Sequence, residues 1–362
     1  MVLKKTTIAY YQDFIVACSL SLGTERSNAI RLPTMPRLPR SLLSRAYRIS
    51  PLLPPLLRTT RTLDSARQEL RWLRAAASSP QQLARLVHRR GTLCEPLQYV
   101  LGTQPFGATE ILCRRGVLVP RAETEELAVR LAALLPGRGT ARVVDLCTGS
   151  GCIALLLAAA RADAHVVGVD VCRHALALAL RNRAHNAATL RGRVAYVLAD
   201  VLDRRLEGET AYQILACLDE MDGAPSSSSS SVDVVVSNPP YITASGYARE
   251  TERSVRLWEP RLALEAGPGG DDQHGEDDRH GGDDRHDGDA FYPRVASLAR
   301  ALGARAVVAE VGGWQQAARV QRCWERSGWL GTVVWPDFAG RGRAVAGWRA
   351  GGEWVGGALQ PS

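Results

Sequence analysis

The apolar positions of this chain change period as it is read. Between Leu63 and Ala77, the residues Ala66, Leu70, Leu73 and Ala77 recur at helical spacing with Arg and Glu between them, and Asp64 is placed to cap the segment. A second short helix is predicted from Pro80, a good first-turn residue, to Arg90. Downstream, short valine-rich runs replace the amphipathic stripes: Arg142-Val-Val-Asp145, His165-Val-Val-Gly-Val-Asp170, Val194–Leu198, Val232–Ser237 and Arg305–Gly312. Continuous β-branched runs suit strands buried on both faces of a parallel sheet. Helical text separates them: an Ala/Leu helix running to about Ala160, one from Phe291 to Leu302 and one from Trp314 to Arg326. A β-hairpin is predicted around Glu110 to Val119 and a helix after Pro120, with Glu123 to Glu126 favourably placed in its first turns. Thr332–Trp335 and Ala344–Trp348 read as a closing strand pair. The pattern predicts an α/β fold behind a small helical domain.

What ends each strand carries the chemistry. The first ends in Asp145, followed by Leu-Cys147-Thr148-Gly149-Ser150-Gly151. Gly149 and Gly151 let the backbone approach a ligand, and the following helix start offers N–H groups. The second strand ends in Asp170, placed to receive a ribose diol. The third ends near Asp200 and Val201. The fourth runs into Asn238-Pro239-Pro240-Tyr241, where two prolines forbid continuation and hold the segment rigid. Open α/β sheets bind ligands at strand carboxyl ends, and all these candidates fall there. The pattern lacks G-x-G-x-x-G and the P-loop lysine, which leaves a nucleoside cofactor outside both fingerprints. The Asn238 side-chain oxygen and Pro239 carbonyl are two fixed acceptors suited to a planar NH2. Tyr241 supplies a flat wall beside them. Such a nitrogen is aimed at an electrophile by positioning and electrostatics rather than by a strong base. A plain strand-to-loop turn is the bland alternative for Asn-Pro. For Arg121 and Glu123 it is an ion pair at a helix start.

Composition adds an asymmetry. The formal charge of +8 conceals a local −7 over residues 268–289, which leaves the remainder at +15 and suggests an anionic partner or a bias toward arginine. From Arg26 to Leu63 there are eight arginines and no acid, as in a mitochondrial transit segment, with Met35 a candidate second start. A disordered basic tail is the competing reading. No apolar run reaches the roughly 18–20 residues of a membrane span. The eight cysteines contain no CxxC pair, so reduced thiols and no metal site are predicted. Two inserts, the six-serine tract at Ser226–Ser231 and the His/Asp near-repeats of 268–289, have the composition of solvated loops.

Pro-Leu-Gln-Tyr at 96–99, Val-Leu-Val-Pro-Arg at 117–121, Asp-Leu-Cys-Thr-Gly-Ser-Gly at 145–151 and Asn-Pro-Pro-Tyr at 238–241 occur in this order. Glu-Pro-Arg-Leu-Ala-Leu at 259–264 and Asp-Phe-Ala-Gly-Arg-Gly-Arg at 337–343 complete the set. The series resembles the HemK/PrmC class of protein-(glutamine-N5) methyltransferases, which act on peptide-chain release factors. The resemblance implies a class I S-adenosylmethionine-dependent methyltransferase, with a Rossmann-like seven-stranded sheet, a small N-terminal helical domain and a linking β-hairpin. Behind the basic leader that composition places at 1–62, it implies a helical substrate-binding domain at 63–95, a hairpin linker at 96–125 and a methyltransferase domain at 126–350. Inserts at 222–231 and 268–289 and a tail at 351–362 complete this map. The cofactor would be held by Asp145, residues 147–151, Asp170, Asp200, Val201 and Asn238. Asn238, Pro239 and Tyr241 would serve the reaction, and Pro240, Arg121 and Glu123 would join them in binding the substrate. The expected partner is the Gly-Gly-Gln loop of a mitochondrial release factor. Stable nucleic-acid binding, membrane association and oligomerisation are not expected. The sequence departs from the family at Cys147 (usually Gly), Ala122 (usually Pro) and Val201 (often aromatic). Asn-Pro-Pro-Tyr is shared with N6-adenine methyltransferases of DNA or RNA, the alternative function, which would flip a base into the same acceptor pair. A non-catalytic binding module is a further alternative.

Overall fold

The computed structural model describes residues 37–137, 139–223, 231–267 and 287–357, and the chain forms two compact units. The first runs to Thr103 and adds Cys113–Arg115 and Ala248–Glu259. Its helices include Arg40–Ile49, Leu53–Thr60, Leu63–Ala76, Pro80–Val87, Leu97–Leu101 and Arg253–Trp258. Local chemistry sets several of their boundaries. Arg61 adopts a left-handed φ of 63° and ends the second helix. The Thr62 hydroxyl accepts the Ser65 N–H at 3.2 Å, and Ser79 accepts that of Gln82 at 3.2 Å ahead of Pro80. Thr62, not Asp64, therefore caps the third helix, because the helix already starts at Leu63.

Leu53, Leu56, Leu57, Leu70, Leu73 and Val100 are among the residues that close this unit's core. Two bidentate ion pairs brace it. Arg90 grips the buried Glu69 at 2.8 and 2.7 Å, and Arg89 grips Glu95 at 2.7 and 2.6 Å. Trp258 joins through its indole N–H, which donates to the Leu93 carbonyl at 3.0 Å, with the Arg115 guanidinium 5.1 Å from its ring.

Two expected boundaries are corrected here. The leader does not extend to 62, because Arg40–Ile49 and Leu53–Thr60 are helices that bury Ala46, Leu53, Leu56 and Leu57. A start at Met35 would therefore precede a folded helix rather than a basic leader. Residues 1–36, where the rest of the proposed leader lies, are outside the described residues. The linker does not start at 96, since Leu97 and Val100 belong to this helical core.

The hairpin is β1 (Thr103–Phe106) with β2 (Thr109–Leu112), several residues ahead of the expected Glu110–Val119. Gly107, at φ 59°, makes the tight turn, and the Thr109 hydroxyl closes it on the Phe106 carbonyl at 2.6 Å.

The second unit holds a seven-stranded sheet. Its strands are β3 (Ala141–Leu146), β4 (Ala164–Asp170), β5 (Arg193–Leu198), β6 (Val234–Ser237), β7 (Ala306–Glu310), β8 (Gly331–Pro336) and β9 (Gly342–Trp348). They lie in the order β5-β4-β3-β6-β7-β9-β8. β3 to β7 pair in parallel, while β9 is antiparallel to both β7 and β8. Alternate residues feed two cores. Val143, Val166 and Val234 pack with the Ala122–Leu134 and Cys152–Ala160 helices. Val144, Val167 and Val235 pack with Glu207–Asp222, Phe291–Ala301 and Trp314–Arg326. The strand order reverses between β3 and β6, so a crevice opens beyond their carboxyl ends. This is the class I methyltransferase arrangement.

The Glu207–Asp222 helix adds to the elements expected from the pattern, and Ala211, Ile214 and Leu218 line its buried face at helical spacing. Its last residue corrects the 222–231 insert, because Asp222 pairs with Arg142 at 3.0 Å and with His165. Residues 224–230, with most of the serine tract, lie outside the described residues, as do 268–286. The acidic insert ends before 289, since Asp289 accepts from Gln316 at 2.8 Å and from Arg319 at 3.0 Å. The expected tail is corrected too. Glu353–Gly356 forms a 3-10 turn that buries Val355 in the first core, while 358–362 are outside the described residues. Among the described residues no helix is long and apolar enough to cross a membrane.

Candidate active site

The turn after β3 is shaped from below. Asp145 is fully buried, and its Oδ2 accepts the Thr148 hydroxyl at 2.6 Å and the Ala154 N–H at 3.3 Å. Burial raises its pKa to about 7. This corrects Asp145 as a direct cofactor contact: it fixes the loop instead, and Thr148 and Ser150 are likewise buried. Cys147 sits at φ 59°, a left-handed conformation that favours glycine, which accounts physically for glycine being usual there. Its side chain packs against the second core. Gly149 has φ 55°, and a Cβ built there meets nothing nearer than the Cys147 carbonyl at 4.0 Å, so the backbone is open to a ligand. Gly151, at φ 81°, precedes the Cys152–Ala160 helix, and a Cβ there would meet the Tyr196 hydroxyl at 2.5 Å. One glycine serves ligand approach and the other serves packing.

Asp170 ends β4 and is half-buried. Its Oδ2 accepts the Gly149 N–H and its Oδ1 the Cys172 N–H, both at 2.8 Å. Burial raises its pKa, and hydrogen bonds from the Cys172, Gly149 and Val171 N–H groups work against that shift. The carboxylate's two oxygens offer about four lone-pair sites, so it ties the glycine turn and keeps room for a hydroxyl. Asp200 is exposed and its Oδ1 holds the Leu202 N–H at 2.8 Å. Val201 is only 5% exposed and belongs to the second core, which corrects its side chain as an adenine contact. The loop, Asp170 and Asp200 thus fit a nucleoside cofactor.

Beside this crevice stands the Asn238 segment. Ser237, the last residue of β6, donates to the Leu146 carbonyl at 2.9 Å and ties the two strand ends together. Pro239 and Pro240 are buried, while Asn238 and Tyr241 are half-buried. The Ile242 N–H donates to the Leu264 carbonyl at 3.0 Å, and the Ala266 N–H to the Ile242 carbonyl at 3.1 Å. The segment after Glu-Pro-Arg-Leu-Ala-Leu thereby clamps the strand exit. Gln316 donates to the Tyr241 carbonyl at 3.3 Å and to the Gly288 carbonyl at 3.0 Å.

Two residues not singled out in the sequence complete the site. Asn238 Nδ2 donates to Thr124 Oγ1 at 2.9 Å, and the Thr124 hydroxyl donates to Glu310 Oε2 at 2.6 Å. The Tyr241 hydroxyl donates to Glu310 Oε1 at 3.1 Å. Glu310 is 1% exposed, and burial lifts its pKa to about 7. Burial also raises the pKa of Tyr241, so it stays a neutral donor. Glu310 ends β7 as Asp170 ends β4, the same signal of an acid closing a valine run. Glu123 is near enough to affect both Glu310 and Tyr241 electrostatically. Arg121 caps the Ala122–Leu134 helix in extended geometry. Their binding of substrate is an expectation from sequence.

The methyltransferase small domain model matches residues 126–217. The mitochondrial MRF1 N(5)-glutamine methyltransferase MTQ1 of Saccharomyces cerevisiae is 34% identical over 236 residues, 64% of this chain and 68% of that protein. The probable mitochondrial MRF1 N(5)-glutamine methyltransferase mtq1 of Schizosaccharomyces pombe is 35% identical, covering 65% and 75% of the two chains. The release factor glutamine methyltransferase of Salmonella typhimurium is 32% identical over 274 residues, 74% of this chain and 80% of that one. With the sheet order and the strand-end residues above, these similarities show that the chain belongs to the release factor N(5)-glutamine methyltransferase family.

Proposed function

We propose that this enzyme transfers a methyl group from S-adenosylmethionine to the side-chain nitrogen of the Gly-Gly-Gln glutamine of a mitochondrial peptide-chain release factor. The observation that carries the reading is the orientation of Asn238. Its NH2 is engaged by Thr124, so its oxygen is directed to accept from a target amide. The Pro239 carbonyl accepts the second N–H, and Tyr241 walls the acyl plane. The bound cofactor supplies an electrophilic methyl group. The chain's residues orient the amide nitrogen toward it and stabilise the positive charge that nitrogen gains as S-adenosylhomocysteine leaves, until one N–H proton passes to solvent. Residues 147–151 wrap the cofactor by backbone, Asp170 receives the ribose and Asp200 flanks the adenine. Arg121 and Glu123 border the acceptor. The mitochondrial names of two relatives support a matrix location.

The test is methyl transfer from labelled S-adenosylmethionine to purified mitochondrial release factor, to its Gln→Ala variant in the Gly-Gly-Gln loop, and to DNA and RNA. Labelling of the wild-type factor alone is expected. Labelling of nucleic acid instead would move the assignment to the adenine methyltransferases.

A further inference from the structure

An asparagine amide has two ends of similar shape, and only the oxygen end can accept from a target NH2. In this site the choice is made by a chain of hydrogen bonds. Glu310 Oε2 accepts the Thr124 hydroxyl proton at 2.6 Å, so Thr124 Oγ1 has only lone pairs left for Asn238 at 2.9 Å. The Asn238 NH2 must then face Thr124 and its oxygen must face the crevice. Donation by the NH2 also draws electron density onto the carbonyl oxygen, making it a stronger acceptor, because hydrogen bonds in a chain polarise one another. The same carboxylate holds Tyr241 through Oε1 at 3.1 Å. The Glu310 backbone carbonyl accepts from the Tyr292 hydroxyl at 3.1 Å, which fixes the end of β7.

We propose that Glu310 and Thr124 are positioning residues for methyl transfer: ionised Glu310, acting through Thr124, locks the Asn238 amide with its oxygen toward the acceptor, and protonation of Glu310 unlocks it. The proposal rests on the reading of Asn238 as the acceptor-binding group. A protonated Glu310 can donate to Thr124, whose hydroxyl is then free to donate to the Asn238 oxygen. That turns the NH2 end toward the crevice, where it meets the target's own donors. The groups facing Glu310 are Thr124 and Glu123 from the Ala122–Leu134 helix, Tyr241 from the loop after β6 and Arg343 from β9. Burial and Glu123 favour the neutral acid, whereas Thr124, Arg343 and Tyr241 favour the carboxylate, and titration falls near 7.

The experiment uses the full chain with Thr124→Val, Thr124→Ser and Glu310→Gln. Thr124→Val is expected to lower kcat by about 10–100-fold, as removal of a group that orients a reacting residue does, while KM for the release factor changes by less than about threefold. Thr124→Ser is expected to restore most of that loss. Wild-type kcat is expected to fall as pH drops through about 7, and Glu310→Gln to be slow without that dependence. A readout independent of substrate is the side-chain amide resonance of Asn238 in 15N spectra, assigned with Asn238→Ala. It is expected to titrate near pH 7 in the wild type and to be flat in Glu310→Gln. Wild-type kcat in Thr124→Val, equal defects in Thr124→Ser and Thr124→Val, or an untitrating Asn238 resonance would each overturn the relay. If the wild type leaves the release factor unmethylated, the functional reading fails, while the resonance still decides the relay.

Discussion

Glu310→Gln offers a direct measure of what burying that carboxyl does to the fold. Glu310 ends a central strand at 1% exposure, and its pKa moves from 4.5 to about 7 chiefly by burial. The folded state therefore binds the proton more tightly than the unfolded state. The stability associated with Glu310 is present below about pH 4.5 and is lost as pH rises through about 7. A shift of that size corresponds to about 3 kcal/mol once both states are ionised. Linkage places most of it between pH 5 and pH 8. The substituted glutamine amide would keep an acceptor for Tyr241 or Thr124 and has no titration. Asp145, also near 7, is present in both proteins and cancels in the difference. Urea unfolding followed by tryptophan fluorescence at the two pH values supplies the assay. Relative to the wild type, the variant is expected to gain about 2–3 kcal/mol on going from pH 5 to pH 8, or about 1 M in midpoint. Parallel pH dependences would show that Glu310 is not strongly perturbed, and the burial argument would fail.

Asn238→Ala is expected to reduce kcat by about 10²–10³-fold with little change in cofactor affinity, because one preorganised acceptor at the reacting centre is removed; equal turnover of the two proteins would discard the role. Asp170→Ala is expected to weaken S-adenosylmethionine binding at least about tenfold by calorimetry, since charge-assisted bonds contribute about 1.5–3 kcal/mol each. The Gly149 and Cys172 N–H groups lose their acceptor as well, so a modest drop in melting temperature accompanies it. Replacing 270–286 with a short Gly/Ser linker is expected to leave turnover and melting temperature nearly unchanged. Asp289→Ala is expected to lower the melting temperature, because it strips partners from Gln316 and Arg319. A fluorescent fusion of residues 1–36 is expected to enter mitochondria, and a version with Lys4, Lys5, Arg26 and Arg31 changed to Glu to remain outside.

Local signals carried much of this protein. Valine runs, the Asn-Pro-Pro break and the acids closing β4 and β5 are properties of a few consecutive residues. They fixed the strand ends, and in this sheet class the strand ends are where ligands bind. The Trp314–Arg326 helix was legible for the same reason. What depended on burial was not legible. Arg40–Thr60 carries the composition of a leader, yet its leucines find a core formed with helices farther along the chain. Asp145 and Val201 lie in the expected motifs, but the packing of the sheet turns their side chains inward. Asp289 belongs by composition to the acidic insert and by its hydrogen bonds to the helix at Gln316 and Arg319. Thr124 and Glu310 are 186 positions apart, and only the adjacency of β6 and β7 and the placement of the Ala122–Leu134 helix bring them to one asparagine. Dihedral preference and periodicity act over a few residues, so the sequence displays them. A hydrogen-bond relay is set by which strands become neighbours, and that is decided when the whole core closes.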